Sequence, residues 1–580
     1  MLKTLGRETK GFRLVSVLTP IFMIAEVIME MIIPKLMASI IDNGVTPGNM
    51  QVIYTVGAQM VVAALFGLLF GILGAVAGSH AATGFARNLR RGMFRNIQTF
   101  SFANIDKYST AGLVTRMTTD VTNIQNAYQM MLRMSVRAPA SMIVALIMSY
   151  TINRRLANIY LIAVILLGCA LAFIMSRATK YFGEAFRKYD DLNASVQENI
   201  SAIRVVKAFV REDHENEKFS KASQNLYRLF VRAEGLLAFN NPAMMTAVYF
   251  CIIMVSWMGS HFIVAGDMTS GNLTSLFSYV MSLLMSLMML SMVVVMISMS
   301  MASIRRISEV LNEVPDLHDP AKPVLQVADG SIDFDHVDFS YKHGSGKDAL
   351  IDIDLHIKSG ETIGVIGGTG SGKSSLVNLI CRLYDVDSGQ VRVGGLDVRQ
   401  YDMEALRNQV SVVLQKNTLF SGTILDNLRW GNPDATQEEC EAVCRAACAD
   451  EFIDRFPDGY QTRIERGGAN VSGGQKQRLC IARALLKKPK VLILDDSTSA
   501  VDTATDAKIR AALAKYLPGT TKIIIAQRIS SVEDADRILV LDNGRINGFD
   551  SHENLLKTNA IYREIYDSQV KGGGDFDQSA

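Results

Sequence analysis

Residues 367–375 read Gly367-Gly368-Thr369-Gly370-Ser371-Gly372-Lys373-Ser374-Ser375. The spacing G-x-x-x-x-G-K-S suits one task, holding a polyphosphate. The glycines let backbone N–H groups wrap the phosphate oxygens, Lys373 reaches the β/γ-phosphates, and the Ser374 hydroxyl can hold Mg²⁺. A helix starting there adds the positive end of its dipole. The setting agrees, because the apolar strand Thr362–Ile366 leads in and the apolar stretch Leu376–Leu383 leads out as a helix. Downstream, Asp495 ends the apolar strand Val491–Leu494. An acid there assists Mg²⁺ in this class of loop. ATP and Mg²⁺ are therefore the expected cofactors.

Other parts of the chain must position these residues. At 580 residues the chain is too long for one core, so at least two domains are expected. Charged residues make up 20% and the mean hydropathy is +0.18, which leans toward a membrane protein. A net charge of +2 argues against nucleic acid as a partner. Apolar segments fall near 14–41, 53–80, 138–152, 157–176, 241–265 and 274–303, all in the first half. A span needs about 20 apolar residues, so six spans are expected, the third and fourth short on hydropathy alone. Polar, proline-free stretches such as Phe85 to Asn126 predict helices that continue beyond the bilayer.

Basic residues orient the spans. Arg87, Arg90, Arg91, Arg95, Lys107 and Arg116 follow the second span, and Lys180, Arg187, Lys188, Arg204, Lys207 and Arg211 follow the fourth, so these stretches are cytoplasmic. The loops Asp42–Met50 and Gly266–Asn272 lack Lys and Arg and face outward, whereas Arg154 and Arg155 break the rule. The basic N-terminus precedes a run long enough to span, without a small-residue cleavage site, so no cleavable signal is expected. Seven cysteines without a C-x-x-C pair signal neither a disulfide framework nor a zinc site. Cys440, Cys444 and Cys448 share a helix face and read as a buried stripe.

After Arg305-Arg306 a polar stretch with Pro315, Pro320 and Pro323 reads as a linker. Beyond it, β-rich runs at Ser331–Phe339, Glu361–Ile366, Val410–Leu414, Val491–Leu494, Lys522–Ala526 and Arg537–Leu541 alternate with helical stretches. The expected boundaries are a transmembrane domain over 1–312, a linker over 313–330, an α/β nucleotide-binding domain over 331–571 and a disordered tail over 572–580.

Two features inside the spans could meet a substrate. Glu26 and Glu30 lie one helical turn apart in the first span. A carboxylate at membrane depth is costly, and it reads either as a cation or substrate contact in a wet cavity or as a hydrogen-bonded contact between spans. Met281, Met285, Met288, Met292, Met296 and Met299 line one face of the last span. Methionine suits a surface that accepts ligands of several shapes, and equally suits packing or lipid contact.

The ordered motifs resemble those of ATP-binding cassette (ABC) exporters over nearly the whole chain. They are Tyr341 in F-S-Y, the phosphate loop, Gln415 in V-V-L-Q, Glu465-Arg466-Gly467, V-S-G-G-Q, L-D-D, S-A-V-D ending at Asp502, and A-Q-R around Gln527. The resemblance implies a type IV exporter, an α-helical six-span transmembrane domain fused to an α/β P-loop domain, in a bacterial plasma (inner) membrane with the cassette in the cytoplasm. Two cassettes would close head to tail around two ATP molecules. Tyr341 would stack on adenine, and Gln415 would touch Mg²⁺ and relay to the spans. Ser472, Gly473, Gly474 and Gln475 would grip the γ-phosphate of the ATP held by the other cassette. Residues near Ser109–Asp120 and Arg211–Ser223 would be the coupling helices.

Two positions depart from the family pattern. The residue after the Walker B aspartate, a glutamate in the family, is Asp496, and the switch histidine is Gln527. A carboxylate drawn back by about 1 Å can cost on the order of 100-fold in rate. Glutamine can hydrogen-bond a γ-phosphate but carries neither proton nor charge to it. V-S-G-G-Q stays close to the family's L-S-G-G-Q. The expectation is a chain that binds ATP at a degenerate site and serves as a lid for the catalytic site of a second, non-identical half-transporter. Such a heterodimer would export small amphipathic, multidrug-type molecules from membrane lipid. A homodimeric lipid flippase and an ATP-sensing membrane regulator are the alternatives.

Overall fold

The computed structural model describes residues 2–341, 348–496 and 501–572. The chain forms two units. One comprises Met1–Thr99 with Tyr108–Val314, the other Phe100–Lys107 with Pro315–Ala580. The short helix Phe102–Lys107 thus belongs with the second unit. The segment Ser109–Asp120, where a coupling helix was expected, lies in the first.

The first unit is helical: α1 (Arg13–Ile40), α2 (Met50–Ile97), α3 (Val121–Ile152), α4 (Arg154–Ser201), α5 (Glu212–Ala238), α6 (Asn240–Val264) and α7 (Ser270–Asn312). Six helical columns are long and apolar enough to cross a membrane, with α5 and α6 forming one column of 53 residues. The third column runs Thr110–Ile152 and the fourth Arg154–Ser201, both longer than their apolar stretches. Hydropathy marks only the part of a helix that meets lipid, and the polar remainder stays helical, in the third column through a π turn at Arg116–Asp120.

α1 buries Thr19, Met23, Val27 and Met31, a one-turn repeat that makes a single stripe. α2 meets its neighbours through Gly74, Ala77, Gly78, Ala81 and Ala82, whose small side chains let backbones approach closely. Pro34 withholds one helical N–H in α1, and two α7 hydroxyls donate to carbonyls near it. These are Tyr279 to the Met31 carbonyl at 3.0 Å and Ser275 to the Pro34 carbonyl at 2.6 Å. The two outward loops are tied as well: Asp42 accepts from the Thr269 hydroxyl at 2.6 Å and the Gly271 N–H at 2.9 Å. At the other end, buried Asp120 receives Arg306 through two N–H bonds of 2.7 and 2.6 Å and the Ser303 hydroxyl at 2.8 Å.

In the second unit a six-stranded sheet is assembled from β3 (Thr362–Gly367), β5 (Val410–Val413), β6 (Val491–Asp495), β7 (Thr521–Ile525), β8 (Arg537–Asp542) and β9 (Arg545–Asp550), in the order β9-β8-β3-β7-β6-β5. β7 lies parallel to both β3 and β6, with Ile525 opposite Val365 on one side and Asp495 on the other. The carboxyl ends of three strands therefore finish level, where ligands bind in open α/β sheets. An antiparallel sheet of β2 (Leu350–Ile357), β1 (Ile332–Phe339) and β4 (Ser388–Val393), edged by Leu396–Asp397, packs Phe334, Phe339 and Ile353 into a core with Ile363 and Val365.

All six strands expected from the sequence are present; β2, β4 and β9 are additional, as are the two-residue strands Leu396–Asp397, Gly422–Thr423 and Arg463–Ile464. β4 (S-G-Q-V-R-V) and β9 (R-I-N-G-F-D) are polar enough to read as loop, and pairing with a neighbour makes them strands. Cys440 and Cys444 are buried on one face of the helix Gln437–Ala446, as expected, but Cys448 lies beyond its end at φ +53, so it is buried without sharing that face. Of the tail placed at 572–580, Gly572 ends a helix and residues 573–580 lie outside the described residues.

Candidate nucleotide site

The phosphate loop leaves β3 at Gly367. A Cβ there would sit 2.2 Å from the Leu541 carbonyl oxygen, so only glycine fits the turn. Gly372, at φ +99, caps helix α8 (Lys373–Ile380), and a Cβ on it would lie 2.7 Å from the Ala349 carbonyl oxygen. This corrects the expected helix Leu376–Leu383. The left-handed glycine starts the helix three residues earlier, so the amides of Lys373, Ser374 and Ser375 become its first turn. Those are the donors a phosphate needs.

Lys373 Nζ donates to the carbonyls of Gly367 and Gly368, each at 2.8 Å, and to Ser371 Oγ at 3.4 Å. Burial pulls its pKa below the usual lysine value, while Asp495 and Asp496 pull the other way. A cation folded back on its own loop is poised to exchange carbonyl partners for phosphate oxygens. Thr369 and Gly370 lie at the crest, Gly370 at φ +84.

Asp495 is buried at the end of β6. Burial raises its pKa, a hydrogen bond from Ser374 opposes the rise, Asp496 adds to it and Lys373 opposes it. Ser374 and Asp495 thus present adjoining oxygen donors of the hard kind Mg²⁺ takes, and Gln415 reaches the next residue, Asp496, at 3.4 Å. Ser374 and Asp495 fit the ion and would hold it, with Gln415 the expected third ligand, and the ion would supply charge neutralisation at the β/γ-phosphates.

Asp496 follows at φ +48, a left-handed backbone that aspartate tolerates better than most residues. Its N–H donates to the Ile525 carbonyl at 3.0 Å, which locks it to the end of β7. Its Oδ2 accepts from Gln527 Nε2 at 2.9 Å and from Gln415 Nε2 at 3.4 Å. The two departures found in the sequence are therefore direct neighbours, with Gln415 as a third member. A cleft of about 140 Å³ beside them is lined by Asp496, Val501, Asp506 and Gln527.

Tyr341 stands at the end of β1, half exposed, with its hydroxyl 3.0 Å from Ser375 Oγ. Ser472 caps α9 (Gly473–Leu485) in a reciprocal box: its hydroxyl accepts from the Gln475 N–H at 3.3 Å, and its own N–H donates to Gln475 Oε1 at 2.9 Å. This presents exposed Gly473 and half-buried Gly474 as the first residues of a helix N-terminus. Among the described residues, no hydrogen bond joins Ser472–Gln475 to this chain's own phosphate loop. Asp502 caps α10 (Thr503–Tyr516), and the Thr505 N–H holds its carboxyl below the usual range. Residues 497–500, which include part of S-A-V-D, lie outside the described residues.

In the membrane unit, Arg137 of α3 reaches Glu26 Oε1 at 2.6 Å and Glu30 Oε2 at 2.9 Å. The carboxylates are therefore bridged between spans, and they also line a cleft of about 490 Å³ with Ala63, Gly67 and Gly71 of α2. The sequence reading missed Arg137 because it began the third span one residue later; a search for a cation facing two intramembrane acids would have found it. Met281, Met285, Met288, Met292 and Met299 are exposed and Met296 is half-buried, on the face of α7 away from buried Leu276, Tyr279, Val280, Leu283 and Leu287.

Residues 17–308 match the family model described as ABC transporter transmembrane region, and residues 350–499 match the one described as ABC transporter. The chain is 34% identical over 560 residues to an uncharacterized ABC transporter ATP-binding protein, YfiB, of Bacillus subtilis, covering 97% of both. It is 32% identical over 477 residues to a fatty acid ABC transporter ATP-binding/permease protein of Mycobacterium bovis, 82% of this chain and 75% of that one. A solved structure of a bacterial Atm1-family ABC exporter with ATP bound is similar at a TM-score of 0.79 and 26% identity, over 97% of this chain and 98% of that one. The chain belongs to the ABC transporter family, as an exporter half-transporter with six candidate membrane spans fused to a cytoplasmic ATPase cassette.

Proposed function

We propose that this chain is one half of a heterodimeric exporter of amphipathic small molecules in the plasma membrane, and that its own ATP site binds nucleotide but hydrolyses it poorly. The observation that carries the reading is the cluster Gln415–Asp496–Gln527. A hydrolytic site needs a carboxylate that reaches the attacking water and a group that can take charge or a proton near the γ-phosphate. Here the carboxylate is one methylene short and its Oδ2 is engaged by two amides.

In this reading Tyr341, the loop Gly367–Ser375, Asp495 and Asp502 retain ATP. Ser472–Gln475 close over the ATP of a second, non-identical half-transporter, whose Walker motifs carry the main hydrolysis. Lys373 and the amides of α8 orient the bound phosphates here and keep the cassettes together between turnovers. The methionine face of α7 and the Glu26–Glu30–Arg137 cleft are the candidate substrate contacts. A second reading, a lipid-like acyl substrate, is favoured by the name of the Mycobacterium bovis relative.

The test is ATP binding and turnover by the pure, full-length chain, alone and co-expressed with a half-transporter that carries L-D-E and A-H-R. Tight binding with little turnover alone, and brisk turnover of the pair, is the expected result. Brisk turnover by the chain assembled only with itself would overturn the reading. Transport by the pair in inverted vesicles, across cationic dyes and fatty acids, separates the two substrate classes.

A further inference from the structure

Tyr341 does not stand alone. Its ring meets Tyr384 edge-on, with centroids 5.1 Å apart at 90°, and Phe339 at 4.9 Å and 74°. Tyr384 in turn faces Phe339 at 5.6 Å and Phe102 at 6.1 Å, and its hydroxyl donates to Asp106 Oδ2 at 2.6 Å. Phe102 and Asp106 both sit on the helix Phe102–Lys107, where the chain passes from the membrane unit into the cassette unit and back. One side chain therefore touches the ring expected to carry the base and the helix whose two ends continue into the spans.

The backbone around Tyr384 is pinned. Arg382 donates to Asp385 at 3.0 Å and to the His318 carbonyl at 3.0 Å, and Arg407 donates to the Arg382 carbonyl at 2.7 Å. Movement at this point is left to the side chain. Burial, then Asp106, pushes the Tyr384 pKa upward, so the phenol keeps its proton and remains the donor. A base laid on Tyr341 fixes that ring's rotamer, and an edge-on neighbour in contact must settle with it.

We propose that Tyr384 is a positioning residue that sets the Tyr341 ring for the base of ATP and, through its hydroxyl on Asp106, couples occupancy of that ring to the helix Phe102–Lys107. The proposal rests on the reading of Tyr341 as the base platform. It adds the residue through which that platform is felt elsewhere.

The experiment uses the full-length chain in lipid nanodiscs with two probes, Mg-ATP and Mg-tripolyphosphate, which lacks base and sugar. Hydrogen exchange over 102–107 is followed at saturating probe. ATP should slow exchange there by at least about threefold, as ordering of a local unit does, and tripolyphosphate should not. Tyr384→Phe, which keeps the ring and removes the donor, should lose the slowing at saturating ATP. Tyr384→Leu should lower the ratio of ATP to tripolyphosphate affinity by about fivefold, as loss of an aromatic neighbour predicts. Slowing that persists in Tyr384→Phe, slowing by tripolyphosphate, or an unmoved ratio in Tyr384→Leu would each overturn the proposal. Tyr341→Ala reports on the platform reading separately: an equal loss of affinity for both probes would remove the platform itself.

Discussion

Gln527 Nε2 donates to Oδ2 of Asp496 at 2.9 Å. These two residues are 31 positions apart in the chain, and the ends of β6 and β7 bring them together. Each departs from the family's motif at its position, and each engages the other. That mutual contact argues for changing them as a pair.

Asp496→Glu combined with Gln527→His should raise turnover at this site by roughly 10- to 100-fold, the range that an ångström of carboxylate placement governs. Each single change should gain less, because the remaining partner still misplaces the water or fails to carry charge. Steady-state phosphate release by the pure full-length protein is the measurement. Equal rates in the double variant and the unmodified chain would place the block elsewhere.

Ser472→Ala should act on the other subunit's ATP. It removes the cap of α9, worth about 1 kcal/mol to that helix, and, in the proposed lid role, a donor to the γ-phosphate of the partner's ATP. Turnover of the co-expressed pair should fall on the order of 100-fold, as loss of one charge-stabilising donor does elsewhere. An undiminished rate would show that V-S-G-G-Q does not serve the partner's site.

Asp495 predicts a pH dependence. Burial raises its folded pKa above the ordinary aspartate value, about 3.9. The folded carboxyl therefore holds its proton more tightly than the unfolded one. Without Mg²⁺, stability falls as pH rises from near that ordinary value through the folded pKa, and stays lowered above it. Mg²⁺ favours the ionised form, so the rise in melting temperature it produces should grow with pH over the same window and then level off. Asp495→Asn should abolish that growth. Thermal melts across pH, with Mg²⁺ and with chelator, provide the comparison.

Arg137→Leu leaves Glu26 and Glu30 at membrane depth without their bridge. Breaking such a pair from one side costs about 3 kcal/mol. The melting temperature in detergent should drop accordingly. Adding Glu26→Gln and Glu30→Gln should restore most of it, since no uncompensated charge then remains. If the triple variant melts as low as Arg137→Leu, the loss comes from packing.

Much of this protein was legible from local order alone. The G-x-x-x-x-G-K-S loop, the apolar runs and the positions of Asp495, Asp496 and Gln527 are properties of consecutive residues, and strand, loop and span chemistry is set by near neighbours. The six expected strands and six spans follow from that. What sequence left open depends on residues far apart: Arg137 between two glutamates over 100 residues away, β4 and β9, which become strands only by pairing, and Tyr384 between Tyr341 and Asp106. Glu26 and Glu30 had two readings in sequence, and the tertiary structure supplied the guanidinium that bridges them. Hydropathy and motif spacing report each residue's own chemistry. Only the packed chain decides which distant group meets it, because ion pairs, ring contacts and amide clamps form between surfaces that folding brings together.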